Sequence, residues 1–128
     1  MKKQYHGRRD KDGRAIVTVE FTDVYGNVGR VYPLVHFNRY PVQFDWHNTT
    51  NGSAELAKSI MIDYMAYADD AEGMIALDKV HRLADRYWHE FQKEIVARLP
   101  EGEWTIKESL IEAWVASKEP VIAPIGGR

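Results

Sequence analysis

The chain has 128 residues, of which 45% are hydrophobic and 28% are charged, so its length and composition are typical of one globular domain. Its formal net charge is −2, which favours no class of charged partner. It contains no cysteine, which excludes disulfides, thiolate metal sites and cysteine nucleophiles.

The first third of the chain has the pattern of an antiparallel β-meander. β-Branched residues are frequent along 15–21 and alternate in facing, as in a half-buried strand. Asp12-Gly13 is a turn signal because glycine tolerates positive φ, and Pro33 indicates an edge or a strand end because it lacks an amide donor. The predicted elements are strands over 5–8, 15–21 and 28–35 and turns at 12–13 and 25–27.

Residues 37–53 form a long connection that is rich in aromatic residues and turn formers. A connection of this length usually carries function or contains a short strand. Val42, Phe44 and Trp46 alternate with polar residues, which favours such a strand over 42–46.

Three helices are predicted in the rest of the chain. Ser53 is a suitable N-cap for the first, which extends toward 69–70. The second spans about 75–99 and is stopped by Pro100, and the third begins with a capping-box pattern over 105–108. The residues predicted to face the core are Leu56, Ala57, Ile60, Tyr64 and Tyr67 in the first helix, Leu77, Val80, Ala84, Tyr87, Phe91 and Ile95 in the second, and Leu110, Ile111, Trp114 and Val115 in the third.

Together these elements predict an α+β fold, in which an N-terminal antiparallel β-meander of three to four strands packs against three helices. Residues 1–120 are expected to form a single domain, and 121–128 an extended or disordered tail. The sequence shows no secretory signal and no apolar run of transmembrane length, so we expect a cytoplasmic protein without membrane contact.

Several short motifs follow one another in an order that resembles a known family. The motifs are Tyr5-x-Gly7-x-Arg9, Phe44-Asp45-Trp46, Asn51-Gly52-Ser53 with Leu56-Ala57, and Val96-Ala97-Arg98-Leu99-Pro100 with Trp104. Over roughly residues 5–112 the chain resembles a family of small bacterial and archaeal proteins of unknown function, whose genes often lie on phages and plasmids. The family's loop is richer in glycine than residues 47–50 are here. The resemblance implies a shared fold and no particular activity.

The loop that leads into the first helix is a candidate ligand site. Free amides and the helix dipole at a helix start can bind an anion, and Gly52 would let the backbone approach a ligand closely. The alternative is that Ser53 only caps the helix while Trp46 anchors the loop in the core. The candidate residues are Trp46, His47, Asn51, Gly52 and Ser53.

The N-terminal hairpin is a candidate nucleic-acid site. Residues 1–14 carry six basic residues against two acidic ones. Arg8 and Arg9 could contact phosphates while Tyr5 stacks on a base. The alternative is a solvated hairpin, because one short basic patch is a small footprint for nucleic acid.

The first helix is a candidate partner surface. Met61, Ile62 and Met65 lie off its main apolar stripe, which predicts either burial on a second side or a surface for a protein partner or a second copy of the chain.

His81, Asp85 and His89 have a spacing that could hold a metal ion, since i and i+4 side chains share a helix face. The stripe drifts around the helix, however, so we expect a solvated face and predict no metal or cofactor. No pattern pairs a nucleophile with a base, so no catalytic residue is predicted.

The function predicted from the sequence is a non-catalytic binding or regulatory domain that acts through a protein–protein surface. A narrower hypothesis, drawn from the resemblance, is an inhibitor of a host system encoded by a phage or mobile element. The alternatives are a nucleic-acid-associated protein that uses the basic hairpin and a small-molecule or anion binder at the 46–53 loop.

Overall fold

The computed structural model describes residues 2–37, 42–66 and 77–118, with the side chains at 77–81 and 83 outside the description. The elements in chain order are strands β1 (Lys2–Arg9), β2 (Ala15–Thr22) and β3 (Val28–Pro33), helices α1 (Asn51–Ala66) and α2 (Leu77–Glu94), a 3-10 turn (Val96–Arg98), strand β4 (Trp104–Lys107) and helix α3 (Glu108–Lys118). No helix within these ranges is long and apolar enough to cross a membrane.

The four strands form one antiparallel sheet in the order β3-β2-β1-β4. The predicted α+β class, with an N-terminal meander and three helices, is therefore confirmed. Two local predictions are wrong. Residues 42–46 form no strand, and the supposed capping box begins in β4, where Trp104 and Ile106 alternate toward the core. The fourth strand comes from this later segment because the free side of β1 offers it a pairing partner.

One face of the sheet packs against the helices and forms the core. Side chains point alternately to the two faces of a strand, and the buried residues of β1, β2 and β4 accordingly fall on alternate positions. The buried apolar residues of this face are Tyr5, Val17, Val19, Trp104 and Ile106. The opposite face, which we call the outer face, carries the exposed and half-buried residues of the same strands.

The helical stripes are largely as predicted. Leu56, Ala57, Ile60 and Tyr64 are buried, as are Ala84, Tyr87 and Phe91, while Ile95 and Val115 are partly buried against the core. The prediction for Leu110 is wrong, because Ile111 and Trp114 face the core and leave Leu110 44% exposed. Tyr67, the tail 121–128 and the side chains of Leu77 and Val80 lie outside the described residues.

Helix boundaries differ from the sequence prediction by a few residues. Helix α1 begins at Asn51, two residues before the predicted cap. Helix α2 ends at Glu94 rather than near 99, and the chain then tightens into the 3-10 turn that precedes Pro100. A 3-10 turn is a common way for a helix to end before a proline.

Candidate interaction surface

The loop before α1 is fastened to the rest of the protein by the motif residues. The Arg9 guanidinium lies over the Trp46 ring at 4.2 Å and donates a hydrogen bond of 2.7 Å to the Asp45 carboxylate. The Trp46 indole N–H donates to the carbonyls of Glu101 and Gly102. The loop is thereby joined both to the end of β1 and to the turn before β4.

The Asp45 carboxylate is held ionised by these contacts. Burial raises the pKa of Asp45, but hydrogen bonds from Arg9, the Asn48 amide group and the Trp46 backbone N–H outweigh burial and lower it below its usual value. A carboxylate this close to the start of α1 repels an anion, which weighs against an anion site here.

His47 also has a structural role in the loop. Its backbone is left-handed, with φ of 71°, a conformation that is uncommon for residues other than glycine. Its backbone N–H donates to the Val96 carbonyl at 3.0 Å, and its ring Nδ1 lies 2.8 Å from the Leu99 carbonyl. These two contacts hold the turn in place and connect the loop to the 3-10 turn.

Gly52 and Ser53 are buried at the start of α1. A side chain added at Gly52 would lie 2.7 Å from the Gln43 carbonyl, so this glycine accommodates the protein's own backbone. The Ser53 hydroxyl donates to the Thr50 carbonyl and accepts from the Gln92 amide group. Of the five candidate ligand residues, only His47 and Asn51 are exposed, and the geometry favours the structural alternative, in which the loop is an anchor.

Gly7, another residue of the sequence motifs, packs close to the same loop. Gly7 of β1 lies opposite Trp104 of β4, and an added Cβ would overlap the indole ring. Trp104 in turn packs edge-on against Trp46, with 5.3 Å between the ring centroids. Five of the motif residues, Gly7, Arg9, Asp45, Trp46 and Trp104, therefore meet in one packed cluster that stabilises the fold.

The N-terminal hairpin does not present its residues as a nucleic-acid site requires. Tyr5 is fully buried, and its hydroxyl donates to the Asp63 carboxylate of α1 at 2.6 Å. Burial and the Asp63 charge raise the pKa of Tyr5 well above its usual value. Arg9 is engaged by Asp45, as described above, and only Arg8 is exposed. The tyrosine is therefore unavailable for stacking on a base.

Asp63 is the centre of a buried polar cluster between the sheet and α1. Its carboxylate pairs with the Lys3 ammonium at 2.8 Å and accepts hydrogen bonds from the hydroxyls of Tyr5 and Tyr32. The side chains of Lys3 and Asp63 are only 3% and 10% exposed. Buried charges need such complete pairing, so the cluster fixes how α1 sits on β1 and β3.

The predicted partner surface on α1 is mostly core. Met61 is fully buried and Met65 is 7% exposed, while Ile62 is half-buried and packs against the core cluster. The structure thus favours the alternative in which α1 is apolar on two sides because it lies between the sheet and α2.

The histidine positions on α2 form no described metal site. Asp85 and His89 are exposed, and the His89 ring stacks on Trp88. The side chain of His81 lies outside the described residues. Within the part of the chain that the structure describes, no group of three potential metal ligands comes together.

One hydrogen-bonded relay lies on the outer face. The His6 ring contacts the Thr105 hydroxyl at 3.1 Å through Nδ1 and the Glu103 carboxylate at 2.8 Å through Nε2. A hydroxyl, an imidazole and a carboxylate in this order can activate a nucleophile in a dry site. Glu103 is 65% exposed, however, so water competes for these contacts, and cross-strand pairing between β1 and β4 explains them.

Four of the large apolar residues that are exposed in the described part of the chain lie on β3 and the hairpin before it, whereas Val35, which is 76% exposed, follows β3 and Leu110 lies on α3. Val24 and Tyr25, at the tip of the β2–β3 hairpin, are 87% and 86% exposed. Val28 and Val31, on β3, are about half exposed. Both valines lie on the outer face, opposite Thr22 and Glu20 of β2. We call these four residues, Val24, Tyr25, Val28 and Val31, the hairpin patch.

The hairpin tip has a fixed shape. The Asp23 carboxylate accepts hydrogen bonds from the backbone N–H groups of Tyr25 and Asn27, and Gly26 supplies a φ of 84° that the turn requires. A turn backbone that is already ordered loses little conformational freedom on binding, which lowers the cost of association.

The free edge of β3 is protected against pairing with another strand. Gly29 and Arg30 both lie opposite the single residue Phe21, because the register shifts by one between Glu20 and Thr22. A bulge of this kind bends an edge strand, and Pro33 removes one backbone donor. Both features oppose strand addition, so the side chains of the patch are better placed for binding than its backbone is.

The sequence prediction placed the candidate partner surface on α1, where Met61 and Met65 are buried, although the sequence also contained one signal for the exposed hairpin patch. Tyr25 begins the turn predicted over 25–27 and Val24 directly precedes it, a place where polar residues usually occur and large apolar residues have no core to enter. No family model, curated protein or solved structure matches the chain.

Proposed function

We propose that this chain is a small non-catalytic binding domain that acts through a protein–protein surface, and that the hairpin patch is that surface. The observation that supports this proposal is the clustering of exposed apolar side chains on one hairpin and its edge strand. Exposed apolar surface is unfavourable in water, and burying it in the domain's own core would stabilise the fold. A patch that stays exposed is therefore typical of a surface that binds a partner.

The residues that suggested an anion site or a nucleic-acid site in the sequence have structural roles instead. The loop residues anchor the fold, Tyr5 is buried on Asp63, and the relay at His6 is open to water. These placements support a binding domain over an enzyme or an anion binder. The resemblance to a family often carried by phages and plasmids motivates a narrower proposal, that the partner is a protein of the host cell.

The test compares the wild type with the double variant Val24→Ser/Tyr25→Ser in affinity capture from the native host, followed by mass spectrometry. Covering an exposed apolar side chain contributes about 1.5–3 kcal/mol, so losing two should weaken binding roughly 100-fold or more. Both side chains are more than 80% exposed, so the variant should remain folded, which circular dichroism can verify.

The matched control is Asp85→Ser/Arg86→Ser, two exposed positions on α2 that leave the net charge unchanged. We expect the control to capture the same proteins as the wild type and the patch variant to lose them. Light scattering reveals whether the captured partner is a second copy of the chain. Equal capture by all three proteins would place the binding surface elsewhere.

A further inference from the structure

Two hairpin turns of the sheet have the same architecture. The first turn (10–14) joins β1 to β2, and the tip turn (23–27) joins β2 to β3. Each begins with an aspartate and has glycine as its fourth residue. The eight residues of β2 separate the two turns by about 26 Å, so only the tip turn adjoins the hairpin patch.

One carboxylate organises the backbone of the first turn. The Asp10 carboxylate accepts hydrogen bonds from the backbone N–H groups of Asp12 at 2.8 Å and Arg14 at 2.9 Å. The backbone of Asp10 also donates to the Arg14 carbonyl and accepts from the Gly13 N–H, both at 2.9 Å. Gly13 has a φ of 81°, which closes the turn.

The tip turn repeats each of these contacts. The Asp23 carboxylate accepts from the backbone N–H groups of Tyr25 at 2.8 Å and Asn27 at 2.9 Å. The backbone of Asp23 donates to the Asn27 carbonyl and accepts from the Gly26 N–H, both at 3.0 Å, and Gly26 has a φ of 84°. The hydrogen bond from the Asn27 N–H is the main reason why the pKa of Asp23 lies below its usual value, so the carboxylate is ionised at neutral pH.

The two turns differ in the side chains between the aspartate and the glycine. The first turn carries Lys11 and Asp12 there, and the tip turn carries Val24 and Tyr25. All four side chains are exposed. Because the same backbone forms around a charged pair, the turn does not require the apolar pair, and turn formation does not explain its presence. The aspartate and the glycine define the shape, which leaves the two residues between them for another role.

Resting on the proposed function, we propose that Asp23 is a positioning residue of the hairpin patch. Its carboxylate fixes the tip turn, and the tip turn holds Val24 and Tyr25 in the orientation in which they bind a partner. Without this carboxylate, the backbone N–H groups of Tyr25 and Asn27 lose their acceptor, and the turn must become ordered at each binding event. A turn that is already ordered avoids this loss of conformational entropy, so it binds more tightly with the same contacts.

The test uses peptides selected from a display library of random sequences with the wild-type protein as the target, and retains those that do not bind Val24→Ser/Tyr25→Ser. In fluorescence anisotropy, Asp23→Ala should bind these peptides about tenfold more weakly than the wild type. Asp23→Asn should bind within about twofold of the wild type, because its amide oxygen accepts the same two hydrogen bonds without the charge. The matched control is Asp10→Ala, which removes the equivalent hydrogen bonds from the first turn. It should lose a similar amount of stability in urea and bind like the wild type.

A second pair of variants changes the turn shape and no charge. Alanine in place of Gly26 or Gly13 meets nothing within 4 Å, so its only effect is strain at a positive φ. Gly26→Ala should weaken peptide binding as Asp23→Ala does, and Gly13→Ala should not. Circular dichroism verifies that all of these variants are folded.

The outcomes separate this inference from the proposed function. An Asp23→Ala variant that binds the peptides as tightly as the wild type would overturn the inference and leave the proposed function standing. Equal losses in Asp23→Ala and Asp10→Ala would trace the effect to general stability, and an equal loss in Asp23→Asn would trace it to the charge; either result would overturn the positioning role. If no selected peptide depends on Val24 and Tyr25, the proposed function and this inference both fail.

Discussion

Substitution of Gly7 by alanine should destabilise the protein through a single contact. The added Cβ would overlap the Trp104 indole ring and lie 2.6 Å from its Nε1 atom. Neither partner can move aside easily, because β1 is paired on both sides and Trp104 is packed against Trp46. Overpacking of this kind costs about 1–3 kcal/mol, and we expect the upper part of that range.

The change in the free energy of unfolding also has a contribution from the unfolded state. Replacing glycine by alanine restricts the unfolded chain and contributes about 0.4–1 kcal/mol of stability, which partly offsets the clash. The net loss should be about 2 kcal/mol. For a urea m-value of about 2 kcal/mol per M, this corresponds to a midpoint lowered by about 1 M.

The assay is urea unfolding followed by far-UV circular dichroism, with Gly102→Ala as the control. An added Cβ at Gly102 meets nothing within 4 Å, so that variant should stay within about 0.5 kcal/mol of the wild type. A second arm places Gly7→Ala in a Trp104→Phe background, where the smaller ring leaves room for the methyl group. The indole N–H has no hydrogen-bond partner among the described residues, so phenylalanine loses no hydrogen bond.

Comparing the two backgrounds tests whether the clash with Trp104 is the cause of the destabilisation. If the clash is the cause, Gly7→Ala should cost clearly less in the Trp104→Phe background than in the wild type, which gives a measurable coupling energy. Equal costs in both backgrounds, or a Gly7→Ala variant as stable as Gly102→Ala, would show that Gly7 is not needed to accommodate Trp104.

Two further predictions concern the buried charges. Asp63→Asn should lower the free energy of unfolding by about 3 kcal/mol, because it leaves the buried Lys3 ammonium without a counter-charge. Chemical denaturation measures this loss, with the exposed Asp85→Asn as the control. A loss no larger than that of the control would contradict the prediction. The lowered pKa of Asp45 implies stability that is present above its unfolded pKa and is lost as the pH falls through the folded value. The urea midpoint of Arg9→Ala should therefore differ from that of the wild type most near pH 6 and least near pH 3. A difference in midpoint that does not change with pH would show that Arg9 acts through packing on Trp46 alone.

Much of the fold could be predicted from the sequence because its strands and helices have clear local periods. The alternation along 15–21 and the spacing of Leu56, Ile60 and Tyr64 each report which side of an element is buried. The turn at Asp12-Gly13 follows from a backbone angle that glycine favours, and Gly13 indeed has a φ of 81°. These signals depend only on neighbouring residues, so the sequence alone is sufficient to specify them.

The candidate site depended on contacts between distant segments, which no local pattern contains. The sequence at 105–108 fits a helix cap, yet the free edge of β1 draws Thr105 into β4. Met61 lies off the apolar stripe of its helix, but burial between the sheet and α2 makes it core. Tyr5 and Arg9 look available in the sequence, and only tertiary structure brings Asp63 and Asp45 to them. A side chain is free to bind a partner only if nothing distant in the chain reaches it first, and that condition is set by the packing of the whole domain.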